Sequence, residues 1–227
     1  MKPAKSLALI AAAVLAVAAA PAQRARNWNS TFSLTPSGSH VLGNPAAKVK
    51  LTVWASYTCP HCAHFEQEAD TPLRTSYIAP GKVQIEYRHL VRDPVDLTAA
   101  MLTNCGPVAK FFLNHAAFLR SQNAWIGTLA NATAAQRTRW TTGPDLARRK
   151  AIAEDFRFYA IMQTRDYARP VVDKCLADEA MARRLAAMTQ DASARGISST
   201  PSFMLDGLLL AGTHHWEDLQ PQIDVRL

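Results

Sequence analysis

Beyond its first twenty residues the chain has no apolar run long enough to cross a bilayer. It has no internal repeat and, beyond the first residues, no low-complexity tail, so nothing in it reads as a repeat array. It also lacks basic stretches interleaved with aromatics. Arg137 with Arg139, Arg148-Arg149-Lys150 and Arg183-Arg184 are small separate clusters that read as solvated helix faces, so no nucleic-acid partner is expected. Cysteine is scarce, at four residues, and only Cys59 and Cys62 lie close together. Structural zinc calls for a second closely spaced ligand pair, and neither Cys105 nor Cys175 has a cysteine neighbour. A redox role for Cys59 and Cys62 is therefore favoured over half of a zinc site. His214-His215 beside Trp216 reads as a polar loop, because adjacent side chains point apart. No metal and no cofactor are expected.

What is present begins with an export leader over residues 1–22. Lys2 and Lys5 form a basic start, Ser6 to Ala20 is almost unbroken apolar sequence, and Ala20-Pro21-Ala22 fits the small-residue cleavage rule. Cleavage after Ala22 is favoured, with Ala20 the next site and a retained anchor the alternative. With Lys2 and Lys5 removed from the 25 basic residues, 23 remain against 18 acidic ones, a mild net charge of about +5. The remaining length suits one domain carrying an insert. Asn29-Ser30-Thr31 and Asn131-Ala132-Thr133 match the glycosylation pattern, relevant only in a eukaryotic secretory pathway.

Residues from Gln23 to about His40 read as polar and turn-rich, with a short strand at Val41-Leu42. Val49, Leu51 and Val53 then alternate with polar residues in a strand that runs into Thr58-Cys59-Pro60-His61-Cys62. The period changes to a helical one at Cys62, Phe65 and Ala69, with Pro72 expected to kink or restart the helix. Val83, Ile85, Tyr87 and His89 alternate again. Strand, helix and strand in this order predict a right-handed βαβ unit with parallel strands. From about Pro94 to Arg195 nothing reads as a strand. Strand signals return at Ser202 to Leu205 and Leu208 to Ala211, joined by Asp206-Gly207, a strong hairpin signal. A short helix is expected over Trp216 to Val225. Trp54 and Tyr57 are expected to border the core or a groove.

The Cys59-Pro60-His61-Cys62 run falls where a strand ends and a helix begins. Unpaired N–H groups and the positive end of the helix dipole stabilise a thiolate there. Pro60 suits the first helical position, where its missing N–H is not needed. A cationic His61 adds to the stabilisation. The spacing brings both sulfurs onto one turn, so a disulfide between them can close.

Gly43-Asn44-Pro45, the strand, Tyr57-Thr58-Cys59-Pro60-His61-Cys62 and Phe65-Glu66 together resemble the DsbA-like thioredoxin family. The likeness extends over Val83 to Val91 and to Ser199-Thr200-Pro201. It implies an α/β thioredoxin fold with an inserted α-helical domain, the thioredoxin part over 23–97 and 190–227 and the insert over 98–189. It also implies that Thr200-Pro201 is cis, faces the two cysteines and pairs with an extended substrate segment. Val53 stands where thioredoxin-like proteins often place a buried acid, so proton transfer at Cys62 must use another group. Glu66, one turn on, is the candidate, its alternative being a surface carboxylate. Cys105 and Cys175 are either bridged, as some family members are, or two buried thiols.

The resemblance implies a periplasmic dithiol oxidase. It would donate its Cys59–Cys62 disulfide to reduced, unfolded exported proteins and be reoxidised by a quinone-linked membrane partner. No room is seen for an added dimerisation domain, and a monomer is expected. A disulfide isomerase or reductase is the alternative, because such relatives often carry threonine before the cis proline, as Thr200 does here. A chaperone-like binding module is a further alternative.

Overall fold

The computed structural model describes residues 26–227, so the expected leader over 1–22 lies outside the described residues. Six strands form one mixed sheet in the order β1-β2-β4-β3-β5-β6. After a 3-10 turn at Trp28–Ser30, β1 spans Phe32–Leu34, β2 His40–Gly43 and β3 Val49–Ala55. Helix α1, Pro60–Pro72, leads to β4, Val83–His89, which pairs parallel to β3 with Val53 opposite Tyr87. This is the βαβ unit the alternation predicts. The inner positions of β3 and β4 are all buried, which accounts for their Val, Leu, Ile and Tyr content.

Pro72 is the last residue of α1. Its missing donor breaks the i→i−4 ladder, and Leu73–Ile78 continues as a π-helix before the chain turns at Gly81. Strand β1 lies within the segment whose sequence reads as polar and turn-rich. It is a three-residue edge strand, largely exposed, and has no alternation to signal it.

Helices then follow one another. They are α2 (Pro94–Thr103), α3 (Phe111–Arg120), α4 (Gln122–Trp125), α5 (Gly127–Ala130), α6 (Ala134–Thr141), α7 (Asp145–Asp155), α8 (Phe158–Gln163), α9 (Arg169–Leu176) and α10 (Glu179–Ala194). Phe118, Trp125, Phe156 and Phe158 stack edge-on and tilted at the centre of this section. The boundaries read at 97/98 and 189/190 fall inside α2 and α10. Helix α10 packs on both β4 and α2, α2 packs on α3, α7 and α9, and one continuous apolar core joins the insert to the sheet. Among the described residues no helix is long and apolar enough to cross a membrane.

Strands β5 (Ser202–Leu205) and β6 (Leu208–Leu209) form the predicted hairpin, though β6 stops two residues short of Ala211. Asp206 and Gly207 both have positive φ, 50° and 86°, the backbone that a two-residue hairpin of this hand requires. The Asp206 carboxylate also accepts from the Lys50 N–H at 2.8 Å, which ties the turn to β3. Strand β5 pairs antiparallel to β3 with Phe203 opposite Val53. Helix α11, Trp216–Asp224, closes the chain against α1.

Candidate active site

The interior strand β3 ends at Ala55, and Ser56-Tyr57-Thr58 turns the chain into α1. Cys59 is the N-cap of that helix with φ −95° and ψ 116°, and Pro60 occupies the first helical position. Both sulfurs are buried as free thiols, Cys59 at 2% exposure and Cys62 at 1%, while Pro60 and His61 are exposed. Opposite them the Thr200–Pro201 peptide is cis, and the Cys59 thiol donates to the Thr200 carbonyl oxygen at 3.1 Å. Residues separated by 141 positions thus form one site. The Thr200 hydroxyl, Oγ1, is buried without a hydrogen-bond partner.

The two thiols are electrostatically unequal. A hydrogen bond from Cys62 is the largest influence lowering the Cys59 pKa. Burial opposes it, while the Thr200 side chain and the N–H groups of Cys62 and His61 add to it, and the result is about 5. Burial, with the hydrogen bond to Cys59 and that residue's charge, pushes Cys62 well above its ordinary value. The N–H contributions of Cys62 and His61 are what the helix N-terminus supplies.

Glu66 is not a surface carboxylate. It is 3% exposed, and burial, with Asp70 nearby, raises its pKa to about 8 against the opposing pull of Arg120 and Arg74. Its oxygens lie 3.7 Å from His115 Nε2 and 3.7 Å from Arg120 Nε. His115 Nδ1 is 2.8 Å from the Tyr57 hydroxyl, so a polar chain runs from the active-site turn beneath α1 to Glu66. Val53 is apolar core, as the sequence implies. Trp54 and Tyr57 are fully buried.

Three residues outside the sequence reading hold the turn. Asp96 accepts from the Ser56 hydroxyl at 2.6 Å, the Tyr57 N–H at 2.7 Å and the Arg92 N–H at 3.0 Å. Burial still raises its pKa to about 7. Asp93, the N-cap of α2, accepts from the Thr58 hydroxyl at 2.6 Å. Gln122 donates to the carbonyls of Tyr57 and Cys59. The only local signal among these was Asp93-Pro94, a helix start. Cys105 and Cys175 stand apart from this site and are bridged, joining the end of α2 to α9 across 70 residues.

Residues 35–225 match the family model described as Thioredoxin. The chain is 54% identical to a crystallised protein-disulfide isomerase from Novosphingobium aromaticivorans, covering 83% of this chain and 96% of that one with a TM-score of 0.80. Alpha-DsbA1 of Wolbachia pipientis shares the fold at 20% identity, with a TM-score of 0.67 over 85% of this chain and 92% of that one. Among curated relatives, a Rickettsia bellii protein provisionally named as a protein-disulfide oxidoreductase is 31% identical over 101 residues. That match takes in 44% of this chain and 39% of the relative, so the chain spans well under half of that relative's length.

Proposed function

The chain belongs to the thioredoxin family, with the inserted helical section of the DsbA-like fold, and from that premise we propose that it is a thiol–disulfide oxidoreductase acting as a dithiol oxidase of exported proteins. The observation that carries this reading is the inequality of the two buried thiols, one held at about 5 and the other pushed far up. Stabilising the Cys59 thiolate stabilises the reduced enzyme and makes its disulfide a stronger oxidant.

In the oxidised enzyme a substrate thiolate attacks the Cys59 sulfur. A mixed disulfide forms, the Cys59–Cys62 bond breaks, and Cys62 leaves with the electron pair. Its high proton affinity draws a proton, and Glu66, one turn away and protonated at neutral pH, is the donor we assign. A second substrate thiolate then attacks the substrate sulfur of the mixed disulfide, and Cys59 departs as thiolate. The substrate dithiol is oxidised and the enzyme disulfide reduced. Thr200 and Pro201 present backbone for an extended substrate segment.

An oxidising compartment, the periplasm, is supported by the leader pattern and by the Cys105–Cys175 bridge. Reoxidation falls to a quinone-linked membrane partner, and the working unit is a monomer. Thr200 and the name of the Novosphingobium relative favour a second reading, disulfide isomerisation. Equilibration with glutathione decides between them. A potential above about −180 mV marks the disulfide donor, and one near −270 mV, the thioredoxin value, sinks the oxidase reading. Refolding of a scrambled-disulfide substrate by reduced enzyme reads isomerase activity directly.

A further inference from the structure

On the outer side of α1, one turn beyond the two cysteines, lies a cluster that the redox chemistry does not use. His64 Nε2 is 2.8 Å from Glu68 Oε1, an i,i+4 pair on the helix surface. His215, the N-cap of α11, closes on them from the other side, its ring centroid 5.8 Å from that of His64. One ligand atom from each of His64, Glu68 and His215 lies within 4.8 Å of the other two. His61 is next in reach, its ring 6.2 Å from His215.

An ordinary surface ion pair accounts for His64 and Glu68 but leaves two observations over. The third residue comes from an element 147 positions away in sequence from Glu68, and its backbone is braced. His214 Nδ1 is 3.0 Å from the Pro201 carbonyl oxygen, Gln222 donates to Thr213 Oγ1 at 2.9 Å, and Trp216 is buried against Tyr77. Second, the other carboxylate oxygen, Glu68 Oε2, is shielded from solvent without a hydrogen-bond partner among the described residues. A shielded, unpartnered carboxylate oxygen on a residue within reach of two imidazoles is a donor set that a cation would satisfy.

We infer that His64, Glu68 and His215 form a binding site for a divalent transition ion of the zinc class. Two imidazoles and one carboxylate are a common zinc donor set, and they suit zinc over the harder calcium or magnesium, which take oxygen ligands. Tetrahedral zinc at about 2.1 Å from each ligand places donor atoms about 3.4 Å apart. Side-chain rotation of the two partly exposed or exposed histidines covers the difference. The ion would clasp α1, which starts at Cys59, to the segment that follows the cis-proline hairpin. The site spans both walls of the disulfide-exchange site without taking either sulfur as ligand.

The test uses the full chain with Cys59–Cys62 closed as a disulfide, so that neither thiolate can bind metal. Zinc is titrated in competition with a chromogenic chelator. One zinc per chain is expected, with affinity falling about tenfold or more in each of His215→Ala, Glu68→Gln and His64→Ala. Zinc should also raise the melting temperature of the wild type and leave that of His215→Ala unchanged. Circular dichroism establishes that each variant is folded, and His215→Gln stands in should His215→Ala not fold. No binding to the oxidised wild type, or equal binding by all three variants, overturns the assignment. The readout is binding by an oxidised protein, so it stands or falls independently of oxidase activity.

Discussion

Gln122 Nε2 donates to the Cys59 carbonyl oxygen at 2.9 Å, although 63 residues separate them. The same nitrogen reaches the Tyr57 carbonyl at 2.7 Å, so the helical insert clamps the backbone that sets the nucleophile. Gln122→Ala leaves two carbonyls in a dry site without that donor. The expected cost is about 1–3 kcal/mol of global stability, measured by urea denaturation. Gln122→Glu, which supplies no amide donor, should do no better than alanine.

The Cys62 thiol is the largest influence on the Cys59 acidity. Alkylation of the reduced enzyme followed against pH should show a midpoint near 5. Cys62→Ala should move that midpoint upward, and Cys62→Ser, which keeps a donor, should move it less. An unchanged midpoint in both variants would assign the acidity to Thr200 and the helix N-terminus without the Cys62 thiol.

The Thr200 side chain lowers the Cys59 pKa, and its buried hydroxyl has no hydrogen-bond partner of its own. Thr200→Val should raise the Cys59 midpoint by less than Cys62→Ala does and make the disulfide less oxidising. Glutathione equilibration reads the second effect, and a more oxidising variant contradicts it.

Glu66 and Asp96 are raised to about 8 and about 7. Between their unfolded values near 4 and these folded values the native state holds protons that the unfolded chain has released. Stability therefore falls as pH rises across that window, by about 1.4 kcal/mol per pH unit for each such proton. Glu66→Gln should remove one proton's share of the slope between about pH 5 and 8. Its stability relative to wild type should be lowest at pH 4 and improve towards pH 8. Parallel stability–pH curves for the two proteins rule out a neutral Glu66.

The Cys105–Cys175 bridge closes a loop of 70 residues. Replacing both cysteines with serine should cost roughly 4 kcal/mol on the loop-entropy model, seen as a lower melting temperature. The Cys59 alkylation midpoint should stay in place, because neither residue touches the reacting sulfurs.

The order strand, Cys-Pro-His-Cys, helix, strand was decided by the sequence alone, as was the Asp206-Gly207 hairpin. Each rests on periodicity and turn chemistry within about fifteen residues, which local backbone preferences largely settle. The change of helix type after Pro72 belongs with them. Tertiary structure decided the rest. Glu66 reads equally well as a surface carboxylate, and only the cover of α3 with His115 and Arg120 makes it a buried acid. Gln122, Asp93 and Asp96 sit in helical sequence whose spacing carries no trace of the turn they hold, because their partners lie 35 or more residues away. His214-His215 looked bland for the same reason. Adjacent histidines do diverge, and packing of α11 against α1 directs one to the Pro201 carbonyl and the other to His64 and Glu68. Periodicity announces which face of an element is apolar, but burial and partnership of a polar group belong to whatever packs against it.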